Sequence, residues 1–501
     1  MQFLKAIPLV AVTVFSLTGC AAVGPNFRSP ATPSPSLPYT ETALPSATAG
    51  ARVEGGAPQK FAFARELPAQ WWNLFRSPEL DALIKQGLTE SPTLAAARAA
   101  LQSSRENLRA TSGALRYPAI DAGVEASRQR DPVDPPGDKP EFSLYNASVQ
   151  VSYTLDLFGK VRRTIEAQQA LVDYQELQYE AAYLTLTSNI VTTAVREASY
   201  RAQLAATREI VAAQEKQLAL VKRQFELGVV AKSSVLSQES ELARTRAKIP
   251  PLEKQLSFTR HALSVLAGRF PSDGGPEFNL DSLHLPEELP VTLPSDLVRQ
   301  RPDIRASEAL LHEASAQVGV ATADLYPQIN LNAGFGFEAL ATGVLFNGHS
   351  AAWNIGASLL QPVFRGGELK AKKRAAVAAY EQATEEYRST VLQAFQNVAD
   401  VLRALETDAR TLNAQAEVAR VAKANLELIE RQFKIGKVGY LSLLIAQRDY
   451  QEALIGLIEA RADRYSDTAA LFQALGGGWW NRPSAAPEVT SVADRTNGPK
   501  S

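Results

Sequence analysis

Two stretches of this chain, Lys160–Leu227 and Glu368–Ile435, each run 68 residues without a single Gly or Pro. Glycines bracket both: Gly159 and Gly228 around the first, Gly367 and Gly436 around the second, offset by 208 residues at either end. Gly and Pro are the main punctuators of helices, so their absence licenses very long ones. At 1.5 Å per residue, a helix of this length reaches about 100 Å. Unpunctuated patterns this long point to coiled coils or helical repeats. The chain reads as a duplicated device built around length, either a conduit or a strut.

Composition narrows the class. The chain has 501 residues, 45% of them apolar and 21% charged, enough for more than one domain. A formal net charge of −1 argues against a nucleic-acid partner, which would call for a strong basic excess. The four histidines (His261, His284, His312 and His349) show no chelating spacing, and one cysteine allows neither an intramolecular disulfide nor a Cys-based metal site. No P-loop and no nucleophile–base arrangement is present, so the chain is read as a non-enzyme without cofactor or metal. The cysteine sits at an informative place. Lys5, an apolar run from Ala6 to Leu17, and Leu17-Thr18-Gly19-Cys20 form a short charged n-region, a core too short to span a bilayer, and small residues before a cut. This looks like a bacterial lipoprotein signal over residues 1–19, cleaved before Cys20, with lipid carried on the Cys20 thiol and amine. Beyond it, no run of 18 apolar residues exists to make a membrane-spanning helix. Residues 20–70, rich in Pro, Ala, Ser and Thr, read as an extended N-terminal segment, and residues 476–501 as a flexible tail.

The duplication extends beyond the long helices, into repeats over 71–270 and 295–475 joined by a Gly-, Pro- and Asp-rich linker at 271–294. Ser91-Pro92-Thr93-Leu94 and Arg301-Pro302-Asp303-Ile304 open matching helices that end at Tyr117-Pro118 and Tyr326-Pro327. The period then changes to two. Strands are predicted at about 118–128 and 143–157 in the first repeat, and about 328–338 and 352–364 in the second. Ile120, Ala122, Val124 and Ala126 alternate with Asp121, Gly123, Glu125 and Ser127; Trp353, Ile355, Ala357 and Leu359 alternate with Asn354, Gly356 and Ser358. Each strand therefore has one apolar and one polar face. The polar faces carry Asn, Ser and Gly where a soluble sandwich would carry more Lys and Glu. About ten residues per tilted strand also suits a barrel wall in a bilayer. Four strands cannot enclose a pore, so closure requires several copies of the chain.

Both long helices end in the same phrase: Arg223-Gln224-Phe225-Glu226-Leu227-Gly228-Val229-Val230 parallels Arg431-Gln432-Phe433-Lys434-Ile435-Gly436-Lys437-Val438. Left-handed glycine is a common helix stop. Helical pattern then returns along Ser233–Ile249 and Leu441–Ile455, broken by Pro250-Pro251 in the first repeat and near Gly456 in the second. A shared heptad, Leu204, Val211, Leu218, Phe225 and Leu412, Ala419, Leu426, Phe433, favours left-handed supercoiling and reads as a packing seam.

Together these features resemble the TolC-like outer-membrane efflux channels, in particular the lipidated branch serving resistance–nodulation–division (RND) pumps. The resemblance rests on Cys20 followed by Gly24-Pro25-Asn26-Phe27 and Pro30, on Trp71-Trp72-Asn73-Leu74-Phe75, on Leu155-Asp156-Leu157-Phe158-Gly159, on Gln361-Pro362-Val363-Phe364 with Gly366-Gly367, and on Leu293–Arg305. It implies a mainly α protomer with membrane β-strands, in a homotrimer whose twelve-stranded β-barrel continues into a long periplasmic α-helical barrel. It also implies a passive channel whose partners are outer-membrane lipid, a periplasmic adaptor (membrane fusion) protein and an inner-membrane RND transporter. Adaptor docking is expected at the tips, through Arg223, Phe225, Gly228, Val229, Arg431, Phe433, Gly436 and Lys437. Gate candidates are Tyr440, Ser442, Ile445 and Arg448, with Tyr440 also open to a helix-packing role. Family members would be expected to place acidic residues just after the second tip; Ser442 and Ile445 stand there instead, so an apolar constriction is the alternative. A polypeptide-secretion duct of the type I kind is the competing function within the class.

Overall fold

The computed structural model describes residues 22–130 and 141–482. The signal peptide, Cys20, most of the Pro- and Asp-rich loop and the tail from residue 483 onward lie outside these. In chain order the elements are β1 (Lys60–Phe63), α1 (Pro78–Glu90), α2 (Pro92–Arg116), β2 (Ala119–Arg130), β3 (Glu141–Leu155), α3 (Lys160–Glu226), α4 (Lys232–Ala247) and α5 (Ile249–Leu266). They continue with β4 (Glu288–Val291), α6 (Pro294–Gln300), α7 (Pro302–Ala323), β5 (Gln328–Ala339), β6 (Ala351–Leu360), α8 (Glu368–Lys434) and α9 (Tyr440–Ala474). The long helices α3 and α8 have 67 residues each and keep the 208-residue offset at both ends. Among the described residues no helix is long and apolar enough to cross a membrane.

The chain divides into two compact units that do not follow the repeats; both repeats contribute to each. Of the described residues, the first holds 22–31, 96–130, 141–179 and 303–392. Its centre is a four-stranded antiparallel sheet of order β2-β3-β5-β6, in which Ile120 faces Val151, Val149 faces Phe335, and Phe335 faces Trp353. These pairs line up on one face, the period-two pattern read from sequence. That face is bare: Val124 is 82% exposed, Ile355 78% and Trp353 74%. A contiguous apolar surface of this kind marks a membrane or protein partner. The outer strands β2 and β6 have no further neighbour among the described residues. β6 stops at Leu360, short of the predicted 364, because Pro362 has no N–H to continue the ladder. Val363 and Phe364 then stand 91% and 88% exposed.

Of the described residues, the second unit holds 32–95, 180–302 and 393–482. Along α8, Ala394, Val398, Leu402, Leu405, Ala409 and Leu412 are fully buried, and from Val398 onward the steps alternate between four and three. This is the spacing of a coiled-coil seam, and each buried Leu contributes about 1.5–3 kcal/mol. Burial thins toward the helix end: Ala419 is buried, Leu426 and Phe433 half-buried, and on α3 Phe225 is exposed. A second core gathers Trp71, Trp72, Phe75, Tyr465 and Phe472.

Three sequence readings need correction. Gly456 does not break the second return helix; α9 runs 35 residues through it. A single Gly costs only about 1 kcal/mol in a helix, and a side chain there would crowd Gln415. The 271–294 segment is no loose linker, because Phe278, Leu280, Leu283 and Leu285 are buried and β4 pairs in parallel with β1. The extended N-terminal segment supplies β1, the other strand of that pair. Residues 476–482 of the expected tail are held: Trp479 Nε1 donates to Gln300 O at 2.7 Å and Asn481 Nδ2 to Leu67 O at 2.8 Å.

Candidate functional site: tips, gate groove and N-terminal clamp

Each long helix ends with the same two backbone bonds. Gly228 N donates to Phe225 O (2.9 Å) and Val229 N to Gln224 O (2.8 Å); Gly436 N donates to Phe433 O (3.0 Å) and Lys437 N to Gln432 O (2.9 Å). This is the Schellman arrangement, with glycine in the left-handed region at φ +74° and +71°. The return helices start at Lys232 and Tyr440, again 208 residues apart. Their preceding residues, Ala231 and Gly439, are both extended, and neither supplies a side-chain cap.

Of the residues expected at the tips, Arg223, Phe225, Gly228, Val229, Arg431, Gly436 and Lys437 are exposed. Arg223 is engaged with Glu226 on its own helix at 3.0 Å. Leu227 (63%), Val229 (69%) and Ile435 (66%) leave apolar area in solvent. Phe433 is turned inward, with its ring 5.7 Å from that of Tyr440.

The gate candidates separate into three placements. Tyr440 is half-buried and its hydroxyl donates to Oε1 of the fully buried Gln238 on α4. Burial, then the nearby Glu241 carboxylate, push the phenol well above its ordinary range, so it stays a donor. Tyr440 thus fastens α9 to α4. Ile445 and Arg448 instead line an open groove of about 380 Å³ with Leu236, Ser240, Glu241 and Leu441. Ser442 is exposed outside that lining. Glu241, on the return helix of the first repeat, brings a carboxylate to this groove, where Arg244 and Arg448 also stand. Gln238 and Glu241 escaped the sequence reading because only the pairing of α4 with α9 gives them a role.

Elsewhere in this unit, Asp408 of α8 stands beside Asp467 of α9, and its Oδ2 is buried without a hydrogen-bond partner. Burial, then Asp467 and Asp463, push its carboxyl up to about 8, against the opposing pull of Arg464. Arg464 is fully buried and donates to Gly55 O, Thr48 Oγ1 and Ala57 O, which fixes the N-terminal segment.

In the first unit the Gly24-Pro25-Asn26-Phe27 motif is clamped. Val23 N donates to Phe158 O at 3.0 Å. Arg163, 4% exposed, donates to Asn26 Oδ1 (2.6 Å) and Val23 O (3.3 Å), and pairs with Glu166 at 2.7 Å. Glu166 also meets His312 Nε2 at 3.0 Å, and the His312 ring stacks on Phe27 at 4.3 Å. Burial raises the Glu166 carboxyl, but the bonds from Arg163 and His312 outweigh it and hold the group below its usual range. A Cβ on Gly24, whose φ is +91°, would lie 2.5 Å from Gly319 Cα. The motif is legible in sequence; its partners Arg163, Glu166, His312 and Gly319 are not.

Residues 83–269 and 293–477 match the family model described as outer membrane efflux protein. The chain is 30% identical over 496 residues to the probable efflux pump outer membrane protein TtgC of Pseudomonas putida, covering 97% of this chain and 99% of that one. It is 27% identical over 471 residues to the probable outer membrane lipoprotein SilC of Salmonella typhimurium, covering 93% and 97%. Among solved structures, the outer-membrane channel OprN superposes with a TM-score of 0.81 at 26% identity, over 91% of this chain and 99% of that chain.

Proposed function

Because the chain belongs to the outer membrane efflux protein family, we propose that it acts as the passive outer-membrane channel of a tripartite system exporting small toxic compounds. The observation that carries this reading is the four-stranded sheet, with one bare apolar face and two open edges, leading directly into two 67-residue helices. Unpaired strand edges are not tolerated in lipid. Three copies would supply twelve strands and close the wall, which makes the functional unit a homotrimer. Lipid on Cys20 would anchor the mature N-terminus, and no other cofactor enters the reading. The exposed tips around Gly228 and Gly436 are the surface offered to a periplasmic adaptor, with the pump of the inner membrane supplying the energy. The Tyr440–Gln238 bond and the Ile445–Arg448–Glu241 groove act as the gate, a mixed apolar and charged constriction.

A deletion strain tests the reading, scored for susceptibility to antibiotics, solvents and metals alongside its secreted proteome. Sensitisation to small compounds with secretion intact is the expected result. Loss of a secreted polypeptide at unchanged susceptibility would transfer the protein to the secretion-duct alternative.

A further inference from the structure

Where the sheet meets the helices in the first unit, the structure leaves a cleft of about 190 Å³, only partly open to the outside. Leu115, Leu155, Leu157, Phe158, Val161 and Ala323 give it an apolar lining, and Lys160 and Asp156 add charge. Close-packed proteins rarely keep such voids, because lining atoms without neighbours forfeit their contacts. An apolar cavity of similar size stays dry and accepts a small hydrocarbon.

The clamp described above ends at this cleft. Ala22 packs so closely on Gly159 that a Cβ there would lie 2.4 Å from the Ala22 Cβ, and Val23 N is bonded to Phe158 O. Phe158 and Lys160, on either side of Gly159, both line the cleft. Cys20 is two residues upstream, within about 7 Å of Ala22 along the chain. With Ala22 against Gly159, Val23 held by Phe158 O and Arg163, and Phe27 stacked on His312, the N-terminal end of the described chain is fixed at the mouth of this cleft.

We propose that this cleft is the seat of the protein's own lipid: a stretch of one acyl chain carried on Cys20 packs against Leu155, Leu157, Phe158 and Ala323. The inference rests on the lipidation reading given above. Lipid tails are as apolar as the cleft, so transfer from the bilayer brings little hydrophobic gain. Preference for the tethered chain comes from its high effective concentration and from the contacts regained by filling the void. The anchor is then a structural part of the sheet–helix junction as well as a membrane tether.

A double-mutant cycle on the purified full-length protein tests this. The acylated protein and a Cys20→Ser form exported through a non-lipoprotein signal are each compared with and without Ala323→Leu, which fills the cleft. The expected result is a thermal midpoint raised by several degrees in the Cys20→Ser background and unchanged or lowered in the acylated one. Equal shifts in both backgrounds overturn the proposal. Should Ala323→Leu fail to fold, a benzophenone amino acid in place of Leu157 gives a second readout: a photo-adduct with the N-terminal lipopeptide supports the seat, and an adduct with bilayer phospholipid alone overturns it. Mass spectrometry of the mature N-terminal peptide keeps the two readings apart. A peptide without acyl mass defeats lipidation and this inference together, whereas acyl mass with equal shifts defeats this inference alone.

Discussion

The two helical hairpins begin alike and end differently. Both turn on a left-handed glycine with the same pair of backbone bonds, and both restart at matching positions. The first return is broken, with α4 ending at Ala247 and α5 beginning at Ile249 ahead of Pro250 and Pro251. The second runs unbroken from Tyr440 to Ala474. The matched first residues also differ: Lys232 is exposed in the first, whereas Tyr440 is bonded to buried Gln238 in the second. Duplication preserved the turn and let the two arms diverge. The second arm became the stiffer one, and it is fastened to the first at the point where a gate is proposed.

The largest expected effect comes from erasing that difference. Gly456→Pro should cost about 3 kcal/mol or more, since proline in a helix interior removes a hydrogen bond and clashes with the preceding turn. Pro251→Ala, in the already broken arm, should stay within about 1 kcal/mol. Chemical denaturation of the purified variants reads both, and similar losses would show that the two arms carry load equally. Next comes Tyr440→Phe. It leaves Gln238 Oε1, a buried acceptor, without its donor and should cost about 1–2 kcal/mol. Lys232→Ala, at the matching place, should change stability by less than about 0.5 kcal/mol. If the bond also holds the gate, cells carrying Tyr440→Phe should admit large antibiotics that the parent excludes; unchanged entry would reduce Tyr440 to a packing residue.

Smaller still are Gly228→Ala and Gly436→Ala. An added Cβ meets nothing within 4 Å at either position, so only the left-handed backbone is penalised, by about 1 kcal/mol each. The two losses should be equal. A clear inequality in denaturation midpoints would reveal that one tip is packed against something the other lacks.

What the sequence disclosed follows from the range of the forces involved. Helix length, both turns, the four strands and their apolar face depend on local rules, and the 208-residue offset displayed each of them twice. Tyr440 was visible as a candidate, yet its partner Gln238 lies 202 residues away. Arg163 and His312 are likewise ordinary helical residues until α3 and α7 are set beside Asn26 and Phe27. Gly456 misled because a glycine tolerated for packing against Gln415 carries the same letter as one that ends a helix. The linker and the tail misled in a similar way: Pro and Gly content predicts irregular backbone, and irregular backbone can still be buried, as Phe278 and Leu280 are.

The last difference between the arms concerns charge, and it is silent at acid pH. Asp408 lies beside Asp467 across the second hairpin, whereas Tyr200 stands at the matching place in the first. The Asp408 carboxyl titrates at about 8 when folded, against an ordinary value of 3.8, because burial and then the Asp467 and Asp463 carboxylates oppose its ionisation, with Arg464 pulling the other way. Between those values the unfolded chain has already released the proton that the folded chain keeps. Unfolding therefore becomes easier as pH rises through this window, and the loss is complete above the folded value. Asp408→Asn preserves the neutral shape but cannot ionise. Variant and parent should match below about pH 4, and the variant should gain steadily on the parent up to about pH 8. Asp463 is also raised, by burial and then by Asp467, so a residual slope of the same sign should remain in the variant. Denaturation midpoints measured across that range decide the matter. Parallel pH profiles would mean that Asp408 is ionised in the folded protein.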